Sequence, residues 1–86
     1  MSKIQNDKIK KFALNLRKKI LELEKQITVL SSKRDEVLVI LGDTETYEMS
    51  TSDLKQIIMR KEGIDNELKV VETKWVEASE ALELVT

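Results

Sequence analysis

The chain has no cysteine, no histidine and no proline, and only two glycines and three aromatic residues among its 86. Each shortage excludes a class of chemistry. Without Cys or His there is no thiol nucleophile, no imidazole base and no soft metal site. Two isolated glycines cannot form a phosphate-cradling loop. One Phe, one Tyr and one Trp are too few for a platform that stacks single-stranded bases. Long hydrophobic runs are missing as well. The longest is the five-residue stretch 37–41, far short of the roughly 20 residues that span a bilayer. The N-terminus is polar and has no apolar signal core, so a cytoplasmic location with no membrane partner is expected. The expected protein is non-catalytic, with no cofactor and no metal.

What the chain has in abundance is charge, 15 Lys+Arg against 16 Asp+Glu, interleaved with Leu, Ile and Val. The apolar residues keep a strict rhythm. With Ala13 at heptad position a, the a and d positions are Ile9, Ala13, Leu16, Ile20, Leu23, Ile27, Leu30, Arg34, Val37 and Leu41. A second frame runs Leu54, Ile57, Lys61, Ile64, Leu68, Val71, Trp75, Ala78, Leu82 and Val85. In each frame nine of ten positions are apolar, and the steps alternate between three and four without a stutter. This is the pattern of a coiled-coil seam. The fold class that follows is all-α, a two-helix antiparallel coiled-coil hairpin. It forms a single domain over residues 1–86, with helix 1 at about 4–41, a loop at about 42–52 and helix 2 at about 53–84.

Residues in the break have recognisable duties. Gly42 follows the first run, where a helix end often calls for positive φ. Ser50, Thr51, Ser52 and Asp53 offer caps for the second helix. Tyr47 and Met49 are expected to fold back over the run 37–41, which is apolar on several sides. Asp43, Glu45 and Glu48 cluster at the loop, a polar turn whose carboxylates are also of the type that holds divalent cations.

Antiparallel pairing allows two registers, one bringing Trp75 to Leu23 and the other bringing it to Leu16. The first sets Lys33 beside Glu67 and leaves only Glu24 and Glu72 as like-charged neighbours. The second pairs Arg17 with Glu72 but opposes Lys19 to Lys74, Lys33 to Arg60 and Glu24 to Asp65. Such exposed pairs contribute only a few tenths of a kcal/mol each, and their sum favours Leu23. The Leu23 register also places small Ala78 against Ile20. In both registers Arg34 and Lys61 occupy adjacent layers, where they are expected to reach out toward Asp35, Glu62 or Asp65. Trp75 is expected to anchor the core.

Charge is unevenly divided. Residues 1–42 hold ten basic and five acidic side chains, and residues 43–86 hold five and eleven. In helix 1 the cations recur at seven-residue spacing, Lys3, Lys10 and Arg17 at position e and Lys11, Lys18 and Lys25 at position f. These six form one basic face, read as pointing away from the seam, that can follow nucleic-acid phosphates without reading bases. In the Leu23 register, residues 1–12 run past the end of helix 2. Ile9 and Phe12 then lack a covering helix, and Lys3, Lys8, Lys10 and Lys11 lack acidic partners.

The stretch from Leu21, reading LELEKQITVL, then LGDTETYE, then DLKQIIMRKEGIDNELKVVETKWVEASEAL, resembles the C-terminal coiled-coil domain of ABC-F ATPases of the Uup type. Leu23-Glu24, Tyr47, Glu67-Leu68 and Trp75-Val76-Glu77 occupy that family's motif positions over about residues 20–83. The family's Asp-Pro before the loop aromatic and its Ser-Tyr-Lys lead-in are absent. The resemblance implies a non-catalytic tail domain that contacts DNA, or structured RNA such as ribosomal RNA, without sequence specificity. It also implies the nucleotide-binding domains of a parent ATPase as partners, although these residues contain no ATPase motif. A monomer or weak homodimer is expected. Two alternatives share the hairpin shape. One is a protein-docking hairpin without nucleic-acid binding. The other is a polymerase-channel hairpin similar to Gre factors, suggested by Gly42-Asp43.

Overall fold

A computed structural model describes residues 3–86, and the side chains of all these except residues 3–6, 44 and 47. Two long helices make up nearly all of it. Helix α1 spans Lys3–Gly42 and α2 spans Thr51–Val85, joined through a short 3₁₀ helix, Thr44–Glu48. The helices lie antiparallel as a rod 69 × 14 × 13 Å. The expected all-α hairpin is therefore the observed fold. Both helices run slightly beyond their expected ends, and the connection shortens to residues 43–50.

The heptad frames account for the seam. Leu30, Val37, Ile64 and Leu68 form the buried centre, with Ile27, Leu41, Ile57 and Val71 packed against it. Ala13, Leu23 and Ala78 extend the buried line toward the open end. Every other a or d residue is at least half-buried except Ile9, which lies beyond the last turn of α2. Two helices can cover only one stripe on each other, so few side chains are fully enclosed. Each enclosed aliphatic contributes roughly 1.5–3 kcal/mol.

Register is decided by Trp75. Its indole Nε1 donates a hydrogen bond to Glu24 Oε1 at 3.2 Å, which places Trp75 beside Leu23 and excludes the Leu16 register. The ring is half-buried, so Trp75 sits on the seam's edge rather than at its centre. The expected Lys33–Glu67 pair does not close to ion-pair distance. Among the described residues the one ion pair is Lys61 Nζ to Asp65 Oδ2, 2.7 Å, within α2. This is one of the outlets expected for Lys61. Arg34 finds none, and its Nε is buried without a hydrogen-bond partner. The aliphatic stems of both residues stay on the seam, next to Val37, which is only 1% exposed.

The loop departs from expectation in three respects. Gly42 does not adopt positive φ, nor does any other residue. It remains helical because the end of α1 is capped from farther along the chain. Asp43 N–H donates to the Ile40 carbonyl at 3.2 Å, and the Thr46 hydroxyl donates to the same oxygen. Thr46 is only 2% exposed, and sequence reading had assigned it no role. Met49 does not cover the run 37–41; it is 44% exposed, as Leu38, Val39 and Ile40 are also exposed. The 3₁₀ turn directs the chain straight into α2 and leaves no slack for the fold-back. The Tyr47 side chain lies outside the described residues. The caps behave as expected, with Ser50 Oγ accepting from Asp53 N–H at 3.2 Å.

Candidate nucleic-acid interface

The basic residues proposed as a site belong to one helix, so their relative positions follow from its pitch alone. Lys10, Lys11, Arg17, Lys18 and Lys25 are all exposed. From Lys10 to Lys25 they cover roughly 22 Å at 1.5 Å per residue. None of them takes part in an ion pair among the described residues. The side chain of Lys3 lies outside the described residues.

One correction concerns where the stripes point. Glu24 occupies the same heptad column as Lys10 and Arg17, and it touches Trp75 across the seam. Position e therefore flanks the seam, and only Lys11, Lys18 and Lys25 face directly outward. The basic surface is a band running from the flank to the back of α1. Such a band still follows one phosphate backbone, because long Lys and Arg stems reach past a flank.

The overhang is present as expected. Beyond the end of α2, Ile9 and Phe12 are exposed, and Lys8, Lys10 and Lys11 are exposed beside them. The acidic loop provides no cation cage. Asp43 Oδ1 accepts from the Glu45 backbone N–H at 3.0 Å, a local turn bond. No group of three or more acidic side chains close enough to hold a metal occurs among the described residues. No described helix is long and apolar enough to cross a membrane.

Sequence reasoning overlooked a shallow groove on the opposite flank. Gln26 and Glu67 form its floor, with Val29 on one side and Val70 on the other. Both valines are more than half exposed. The available signal was a valine at position c of each frame, where a solvated helix ordinarily carries a polar residue.

No protein-family model matches the chain, and no curated protein or solved structure shows significant similarity to it.

Proposed function

We propose that the hairpin is a non-catalytic coiled-coil domain that contacts nucleic acid through the basic band of α1, in the manner implied by its resemblance to ABC-F tail domains. The observation that supports this reading is the exposed and unpaired state of Lys10, Lys11, Arg17, Lys18 and Lys25 along one side of a single rigid helix. Contacts of that kind neutralise phosphates and ignore base identity. They give non-specific dissociation constants of about 10⁻⁴–10⁻⁶ M at physiological salt. The near-neutral net charge of -1 and the acidic end of α2, with Glu77, Glu80 and Glu83, push affinity toward the weaker limit.

Binding to duplex DNA measured across a salt series tests the proposal. The log of affinity falls by roughly 0.9 per log unit of salt for each phosphate neutralised. Replacing Lys10, Lys11, Arg17 and Lys18 by Gln flattens that slope and weakens binding to every sequence alike. Binding by the quadruple variant equal to wild type at low salt would show that the band is only solvated surface. The protein-docking reading would then stand in its place, supported by the exposed Leu38, Val39, Ile40, Ile58 and Met59 near the loop.

A further inference from the structure

The groove beside Val29 and Val70 lies on a longer apolar line. Phe12 and Ile40 stand two heptads before and after Gln26 in the same column of α1, and Leu84 stands two heptads after Val70 in α2. Phe12, Val29, Ile40, Val70 and Leu84 are all exposed. They mark both ends and the middle of one side of the hairpin. The basic band lies on the other side and the back of α1, so this apolar line is independent of the proposed nucleic-acid contact.

We propose that this side is an interface with a second copy of the same chain, the two hairpins packing side by side and antiparallel about a two-fold axis near Val70. Charge selects this occupant and this orientation. Residues 3–18 carry six basic side chains and one acidic, while residues 35–59 carry six acidic and one basic. Parallel packing would set basic end on basic end and acidic tip on acidic tip. A two-fold axis through the middle of the rod sets each basic open end on the partner's acidic tip. Within the column of Val29, Lys8 lies near one end and Asp43 at the other, so antiparallel packing brings these opposite charges together at both ends. It also covers Phe12 and Leu84 with the apolar tip around Ile40, surfaces that neither copy covers alone. A side measuring 69 × 14 Å is large enough for the roughly 800 Å² per partner typical of stable complexes. A two-fold interface is isologous and closes at two copies.

The absence of native cysteine makes single-cysteine crosslinking a clean test. A residue near a two-fold axis meets its own copy, and a disulfide requires Cα atoms within about 7 Å. Val70→Cys should therefore crosslink two full-length chains under glutathione disulfide. Thr28→Cys, on the opposite flank, and Leu84→Cys, far from the axis, should not. Sedimentation equilibrium should show a monomer–dimer equilibrium. Val70→Glu should weaken it by roughly tenfold or more, because each substitution enters the interface twice. Circular dichroism should show helicity retained, since the position is exposed. Lys8→Glu with Lys11→Glu in one chain, and Glu36→Lys with Glu45→Lys in another, should each impair self-association, and mixing the two chains should restore it. Sedimentation as a monomer at every concentration reached would overturn the proposal. So would crosslinking at Thr28 in preference to Val70, or a charge-swapped mixture that associates no better than its components.

Discussion

Trp75 and Glu24 lie 51 residues apart in the chain and are joined by a hydrogen bond of 3.2 Å between indole and carboxylate. That contact sets the register of the hairpin. The like-charged neighbour Glu72 would otherwise be the main charged group near Glu24, so the indole N–H gives this carboxylate a partner where the seam flank is acidic. Trp75→Ala removes both the ring packing and the bond. Because the ring is half-buried, the loss should be about 2–4 kcal/mol, at or below the range for fully buried Trp. Trp75→Phe should keep most of the packing and lose about 1 kcal/mol or less. Thermal melting of the two variants checks this order; Trp75→Ala melting within a degree or two of wild type would remove Trp75 from the seam.

Gly63 lies in the interior of α2 with an ordinary negative φ, and a Cβ built on it meets nothing within 4 Å. Neither a turn nor a close approach requires glycine there. Gly63→Ala should stabilise the hairpin by about 0.5–1 kcal/mol, because alanine loses less backbone freedom on folding. For a domain of this size each kcal/mol corresponds to roughly 4–8 °C in melting temperature. An unchanged or lower Tm would mean that position 63 has a neighbour.

Thr46 is buried and its hydroxyl donates to the Ile40 carbonyl, one of the last carbonyls of α1. Thr46→Val keeps the shape and removes the donor. The cost should be about 1–2 kcal/mol, close to the ~1 kcal/mol expected for Ser50→Ala at the start of α2. Hydrogen exchange at the last turn of α1 should accelerate in Thr46→Val, and at the first turn of α2 in Ser50→Ala. Loss of protection at the same end in both variants would refute the separate roles.

Arg34 interrupts the seam with an unpartnered buried Nε. Arg34→Leu restores an apolar layer and should raise stability by about 1 kcal/mol or more, as replacing poorly compensated buried charges often does. Lys61 differs, since Asp65 answers it at 2.7 Å. Asp65→Asn should cost only a few tenths of a kcal/mol, because the pair is partly exposed. Urea titration of both variants checks the contrast; destabilisation by Arg34→Leu would show that the guanidinium is satisfied in solution.

The seam was legible because its signal is local and repeated. Nineteen of the twenty a and d residues in the two frames are buried or half-buried, Ile9 being the exception. The serine cap at residue 50 was legible for the same reason, since capping depends on the nearest three residues. The basic band was legible in composition and spacing, but its direction was not. Whether an e-column residue flanks the seam or leaves it depends on how the partner helix is rotated, and only the contact between Glu24 and Trp75 showed this. The Val29–Val70 groove escaped notice because each valine reads as an isolated exposed residue until the helices are paired.

By itself, then, the sequence determined that two amphipathic helices form, where each begins and ends to within two residues, and which stripe of each is buried, because side-chain periodicity and capping are properties of short segments. Tertiary structure decided the rest. It placed Trp75 at Leu23 and Glu24 rather than at Leu16, kept Gly42 helical by capping from Thr46, left Met49 in solvent and aligned two distant valines across one groove. These outcomes depend on contacts between residues far apart in the chain, where several pairings satisfy the same heptad pattern and small differences in packing and hydrogen bonding select one.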